Sequence, residues 1–82
     1  MADDIEAGKA ALIALIRQHD PNVQVVIPVR ATNDRYLISL SRGKGREFIS
    51  VVEDDLLDLD GDATIRREVE AIVKTGLAKL AG

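Results

Sequence analysis

Hydrophobic positions at the two ends of the chain recur at the spacing of an amphipathic helix. In residues 3–19 and again in residues 62–80, apolar side chains return every three or four positions. This spacing places them on one side of a helix, where they can pack on a core. We therefore predict two helices, and the second has the more regular apolar face: Ile65, Val69, Ile72, Val73, Gly76 and Leu80.

Between the two helices, apolar and polar residues alternate, and turn residues interrupt the alternation twice. Alternation with β-branched and aromatic residues is typical of strands that are buried on one face. Thr32-Asn33-Asp34 and Gly43-Lys44-Gly45 have the chemistry of turns. Pro28 cannot donate a ladder hydrogen bond, so the first strand is expected at an edge or with a bulge. The predicted strands are 23–29, 35–42 and 46–52.

The register of the second and third strands has two candidate solutions. A two-residue loop of Lys44-Gly45 places Arg42 opposite Glu47, and it pairs Leu40 with Ile49 and Ile38 with Val51. A three-residue loop of Gly43-Lys44-Gly45 instead places Arg42 opposite Arg46. Opposed like charges cost a few tenths to about 1 kcal/mol, so we favour the first register.

The connector between the sheet and the second helix is acidic and contains three leucines. Leu56, Leu57 and Leu59 are predicted to anchor it to the core, and Asp62 or Thr64 is predicted to cap the second helix. The order α-β-β-β-α predicts an α+β fold with two layers. It consists of a three-stranded antiparallel meander with both helices packed on one face. Residues 1–82 are expected to form a single domain.

Composition excludes some kinds of protein. The chain has 82 residues, no cysteine, 46% hydrophobic and 30% charged residues, which is a globular composition without disulfides or thiolate metal sites. The longest apolar run, Ala10 to Ile16, is too short to cross a bilayer, and acidic rather than basic residues precede it. We expect a cytoplasmic protein that does not bind membranes.

The acidic connector resembles the start of a calcium-binding loop only superficially. If Asp58, Asp60 and Asp62 were the first three ligands, Ala63 would replace the turn glycine and Val69 would replace the bidentate glutamate. We therefore predict no metal site. The acids instead suit the positive end of the second helix dipole.

No pattern of catalytic residues is present. His19, the single histidine, falls at the end of the first helix, where a cation suits the dipole. No serine or cysteine nucleophile can be assigned to it by spacing, and the glycines flanking Lys44 do not form a phosphate-binding loop. We predict no catalytic residue, no cofactor and no enzymatic activity.

By elimination, the leading hypothesis is a small protein-interaction or regulatory module, with an unknown protein or a second copy of the chain as its partner. The sheet face opposite the helices is only partly polar, and Leu37, Phe48 and Val52 lie on it. Exposed apolar residues on an open sheet face are a candidate partner surface. An unprotected strand edge is a second candidate surface.

The alternative hypothesis is nucleic-acid binding through the basic hairpin tip: Arg42, Lys44 and Arg46. The element order is similar to that of the double-stranded RNA-binding domain. This resemblance implies phosphate contacts from the N-terminus of helix 2 and minor-groove contacts from helix 1 and a hairpin loop. This chain departs from that family, because the stretch DLDGDATIRRE begins its second helix with acids where the family has lysines. The net charge of −3 and two aromatic residues also argue mildly against nucleic-acid binding.

Overall fold

The chain folds as a helix, three strands and two further helices. A computed structural model describes residues 4–80, and residue 3, where the predicted first helix begins, lies outside the described residues. This order confirms the predicted α+β fold, with an additional short helix in the acidic connector. The elements are α1 (Asp4–His19), β1 (Gln24–Val26), β2 (Arg35–Arg42), β3 (Gly45–Val52), α2 (Glu53–Asp58) and α3 (Ala63–Leu80).

The three strands form an antiparallel meander in the order β1-β2-β3, as predicted. β1 is shorter than the predicted strand 23–29, because pairing with β2 stops at Val26. Pro28 has no N–H to extend the ladder. Val29, which the alternation placed on the core face, is 85% exposed. β1 is therefore a short edge strand.

The register of β2 and β3 differs from both predicted registers. Arg42 pairs with Gly45, so the loop is Gly43-Lys44, and Ile38 pairs with Ile49. Gly43 has a φ of 59°, and a glycine with positive φ at the first loop position is typical of a two-residue type II′ hairpin. The favoured register was wrong by two positions. Since side chains alternate with a period of two, the predicted assignment of side chains to the two faces still holds.

One face of the sheet packs on the helices and forms the core. Tyr36, Ile38, Leu40, Ile49 and Val51 are buried there in one cluster with side chains of all three helices. α3 lies against this face with Gly76 beside Ile49, where a Cβ at residue 76 would come within 2.5 Å of the Ile49 Cγ2.

α1 reaches the core beside α2. A Cβ at Gly8 would overlap the backbone carbonyl oxygen of Leu56. The glycine therefore permits the backbones of α1 and α2 to approach each other closely.

The acidic connector forms α2 and then caps α3. Leu56 and Leu59 are buried, as predicted, because positions three apart share one side of a helical turn. The prediction that Leu57 also anchors the connector was wrong. Leu57 lies on a different side of the helical turn from Leu56 and Leu59, and it is 39% exposed. Asp62 caps α3 as predicted: its Oδ1 accepts hydrogen bonds from the N–H of Thr64 at 2.9 Å and of Ile65 at 3.2 Å.

Candidate functional site

The free edge of β3 is the longest stretch of unpaired strand backbone in residues 4–80. In an antiparallel pair, successive residues turn their N–H and C=O groups alternately toward and away from the neighbouring strand. Arg42 and Gly45 close the two-residue hairpin as a hydrogen-bonded pair, so the odd-numbered residues of β3 bond to β2. The even-numbered residues Arg46, Phe48 and Ser50 therefore turn their backbone groups outward.

Two hydrogen bonds outside the ladder agree with this alternation. The N–H of Glu53 donates to the carbonyl oxygen of Asp34 at 2.8 Å, which continues the odd-numbered series toward β2. The N–H of Phe48 is not used in the ladder, and it donates to Oε1 of Glu47 at 3.0 Å. Within residues 4–80, the N–H groups of Arg46 and Ser50 have no partner in the chain. The β3 edge can therefore donate to and accept from an added strand.

The opposite edge of the sheet is much less suited to strand addition. β1 has only three residues, and Val25 alone among them turns its backbone groups outward. Pro28 follows two residues after the strand ends. Short edge strands and prolines are common devices that prevent unwanted strand pairing. The chain thus protects its β1 edge far better than its β3 edge.

A groove runs beside the free edge of β3, between that strand and α3, and it has a volume of about 360 Å³. Its lining is mainly small or apolar, with one charge at one end, and the largely buried Ile49 is the part of it that also belongs to the core. We call it the β3–α3 groove. Its residues are Phe48, Ile49, Ser50, Ala71, Ile72, Thr75, Gly76 and Lys79.

Thr75 lies on the α3 wall of the β3–α3 groove, but its hydroxyl group is not available to a bound segment. Its Oγ1 donates a hydrogen bond to the carbonyl oxygen of Ala71 at 3.0 Å. The hydroxyl is therefore satisfied within α3. Gly76 lets α3 approach the strand closely at the groove, because a Cβ at residue 76 would overlap the Ile49 side chain. The groove can accommodate an apolar side chain of a bound segment.

Two of the three residues predicted as an interaction surface are prominent on the outer sheet face. Leu37 is 59% exposed and Phe48 is 50% exposed, whereas Val52 is only partly exposed. The register places Val26, Ser39 and Phe48 in one row across the three strands. Val26 is also exposed, and it extends this apolar face onto β1. Phe48 belongs both to this face and to the β3–α3 groove.

The basic hairpin tip does not present its three predicted residues equally. Arg42 forms an ion pair with Asp20, a carboxylate that is largely buried, whereas Lys44 and Arg46 are exposed. Arg42 therefore already has an anionic partner within the chain. Only Lys44 and Arg46 remain as exposed cations of the predicted set.

His19 pairs with Glu70 across α1 and α3, with 2.9 Å between Nε2 and Oε2. The hydrogen bond from His19 lowers the pKa of Glu70, and nearby Lys74 and Arg66 add to the effect. These two residues are 51 positions apart, so sequence spacing alone could not associate them. Within residues 4–80 no serine or threonine hydroxyl bonds to His19, so the pair has no nucleophile beside it. The contact between His19 and Glu70 links α1 to α3.

Two other features are absent from residues 4–80. No three histidine, cysteine, aspartate or glutamate side chains lie together in an arrangement that could hold a metal ion. No helix in this part of the chain is long and apolar enough to cross a membrane. The β3 edge and its groove are therefore the features with the clearest capacity to bind another molecule.

Comparisons with protein-family models, with curated proteins and with solved structures gave no match for this chain.

Proposed function

We propose that this chain is a non-enzymatic protein-interaction module that binds an extended segment of a protein along the β3 edge. The observation that carries the proposal is the eight-residue edge strand Gly45–Val52, whose outward backbone groups border the β3–α3 groove. Addition of a strand to an open sheet edge is a recurring mode of peptide recognition. Main-chain hydrogen bonds supply affinity, and side-chain pockets supply selectivity.

The strength of such binding follows from the number of outward residues. Arg46, Phe48 and Ser50 can each exchange a pair of hydrogen bonds with an added strand. Each bond contributes a net ~0.5–1.5 kcal/mol. Burial of an apolar side chain in the β3–α3 groove adds ~1.5–3 kcal/mol, against the cost of ordering the bound segment. These contributions suit a specific but reversible interaction.

Nucleic-acid binding at the hairpin tip has less support. Arg42 is paired with Asp20, which leaves Lys44 and Arg46 as the exposed cations of the predicted set. Phosphate contacts dominate nucleic-acid affinity, and each contributes to the salt dependence. Two contacts would give a weak interaction with a modest salt dependence.

A photo-crosslinking experiment separates these functions. The photoreactive amino acid p-benzoylphenylalanine replaces Phe48, which is half exposed and borders both the β3–α3 groove and the outer face. A matched control places the same probe at Val29, which is more exposed and lies in the loop that follows β1. Both variants are expressed and irradiated in cells, and the adducts are identified by mass spectrometry with and without nuclease treatment.

We expect a discrete protein adduct from the Phe48 probe that resists nucleases and is absent from the Val29 probe. The crosslinked peptide of the adduct should derive from an extended segment of its protein, because only an extended backbone can align with β3. Adducts that disappear with nuclease would favour the nucleic-acid function. Equal labelling from both probes would refute the proposed role of the β3 edge.

A further inference from the structure

We propose that the segment that binds the β3 edge is β3 of a second copy of this chain, so that two sheets join into one sheet of six strands. This inference rests on the proposed function and identifies its partner. Such a dimer requires a self-complementary surface, because a two-fold axis brings the same surface of the two copies into contact. Both the edge strand and the neighbouring face of α3 have this property.

The alternation of backbone groups limits the registers that two copies of β3 can adopt. Only the outward, even-numbered residues can exchange hydrogen bonds across the new edge. Two such registers oppose like charges, one with Glu47 facing Glu47 and one with Arg46 facing Arg46. Directly opposed like charges destabilise a strand pair. These registers are therefore disfavoured.

A register centred on Ile49 avoids opposed charges and uses the whole strand. It pairs Phe48 of one copy with Ser50 of the other, and Arg46 with Val52. The two-fold axis then passes between the two Ile49 residues, which lie at the middle of the strand segment that lines the β3–α3 groove. A register centred on Phe48 pairs one outward residue fewer, because Val52, which also turns its backbone groups outward, would lie opposite Lys44 in the turn. We therefore assign the register centred on Ile49.

The same two-fold axis brings the two α3 helices together over the joined strands. An axis perpendicular to the sheet keeps both helical layers on one face, so each α3 lies next to the groove of the other copy. The face of α3 toward the groove carries small or uncharged residues at its centre, Ala71, Ile72 and Thr75. Small residues at a helix contact allow close packing without a buried charge.

Charges at the two ends of this α3 face are complementary to each other. Glu68 and Lys79 lie on the same side of α3 as Ala71, Ile72 and Thr75. These three residues and Lys79 follow Glu68 by three, four, seven and eleven positions, and such spacings share one side of a helix. Glu68 is near the N-terminal end and Lys79 is near the C-terminal end, and both are exposed. Antiparallel packing across a two-fold axis brings Lys79 of one copy toward Glu68 of the other. This self-complementary pattern favours a second copy over an unrelated segment.

Glu47 must release one hydrogen bond before the strands can pair. Its carboxylate accepts from the outward N–H of Phe48, the group that the second copy needs. The two residues are adjacent in sequence, and both are solvent accessible, so the bond is a local and inexpensive one to exchange. Glu47 therefore reduces the affinity of the two edges without abolishing their pairing.

The test is sedimentation of the purified full chain from micromolar to millimolar concentration, combined with amide hydrogen exchange measured by NMR. We expect a concentration-dependent dimer in which the N–H groups of Phe48 and Ser50 exchange slowly. A charge-swap cycle then tests the helix contact. Lys79→Glu should raise the dimer dissociation constant about tenfold, and the double variant Lys79→Glu with Glu68→Lys should return it to within about threefold of the wild type.

A pair of proline variants tests the strand contact. Ser50→Pro removes an N–H that faces outward, so the chain should keep its fold and lose the dimer. Val25→Pro removes an outward N–H at the β1 edge and should leave the dimer intact. Circular dichroism and thermal unfolding establish that each variant is folded before its association is measured.

Three outcomes have distinct meanings. A dimer that responds to Ser50→Pro and to the charge swap establishes the inference. A dimer that responds to neither overturns it, since the copies then associate through another surface. A chain that stays monomeric at millimolar concentration also overturns it, but a protein adduct from the Phe48 probe would still support the proposed function with a different partner.

Discussion

Replacement of Gly8 by alanine tests the close contact between α1 and α2. Gly8 lies inside α1, where alanine would ordinarily stabilise the helix. Here the added Cβ would overlap the carbonyl oxygen of Leu56 and lie 2.9 Å from its carbonyl carbon. Both are backbone atoms of a fully buried residue, so neither can move aside as a flexible side chain would.

The net effect of Gly8→Ala is the difference between two opposing contributions. Helix propensity favours alanine by ~1 kcal/mol. Overpacking costs ~1–3 kcal/mol, and a rigid backbone neighbour places this site at the upper end of that range. We expect a net loss of ~2 kcal/mol, which corresponds to a decrease in Tm of about 8–16 °C for a domain of this size.

Thermal and denaturant unfolding followed by circular dichroism measures this loss. The matched control is Gly61→Ala, because a Cβ at residue 61 has no atom within 4 Å and residue 61 has no positive φ. The control should change stability by no more than about 0.5 kcal/mol. If Gly8→Ala instead raised the Tm, propensity would outweigh the clash, and α1 and α2 would lie farther apart than described.

Three further substitutions examine the turn, the helix pair and the edge. Gly43→Ala should destabilise the fold by ~1–2 kcal/mol in denaturant unfolding, because residue 43 has a φ of 59° and a Cβ is disfavoured in that conformation. A loss of stability no larger than that of Gly61→Ala would argue against this turn. Glu70→Gln should lower the Tm near neutral pH. The folded pKa of Glu70 is lowered by His19, so its contribution is present above the unfolded pKa of ~4.3 and is lost as pH falls through the lower folded value. The gap in Tm between wild type and Glu70→Gln should therefore close in acid, and a gap independent of pH would contradict the pairing. Glu47→Ala should free the N–H of Phe48 and tighten dimerisation, and unchanged sedimentation would show that Glu47 does not restrain the edge.

Salt dependence checks the alternative function directly. Neutralisation of two phosphates by Lys44 and Arg46 predicts a log–log slope of about −1.8 for binding to duplex nucleic acid, at about −0.9 per contact. A slope near −2.7 would instead require Arg42 to leave Asp20 and act as a third contact. Absence of shifts at the hairpin tip in an NMR titration would remove this function.

The sequence predicted the faces of the sheet better than its register. Ile38 and Ile49 were both correctly placed on the buried face, because alternation depends only on whether positions are odd or even. The pairing of Ile38 with Ile49 depends on which glycine takes the positive φ, and Gly43 and Gly45 are equally suited to that conformation. Charge opposition, used to choose between the registers, is too weak to decide such a question.

The short helix α2 illustrates a second limit of sequence patterns. Three leucines in a seven-residue stretch all suit burial by composition, but a helix of six residues shows too few turns to reveal its phase. Once α2 begins at Glu53, Leu56 and Leu59 share one side and Leu57 does not. The start of the helix depends on where β3 ends, which is a property of the sheet.

The candidate site was predictable in part. Alternation identified Leu37 and Phe48 on the open sheet face, and both are exposed. The β3–α3 groove could not be inferred from a single element, because it depends on how close α3 approaches Ile49. The pattern of α3 contained a relevant signal: Gly76 interrupts an otherwise bulky apolar face at the point where the helix lies nearest to the strand.

The inequality between the two edges has a consequence for how far assembly can proceed. A sheet with two extendable edges can add copies at both ends without limit and grow into a fibre. In this chain Pro28 and the short β1 terminate one side, so each copy offers a single joining strand. Association through β3 would therefore stop at a closed pair, which allows the protein to keep one long strand edge unprotected without a tendency to polymerise.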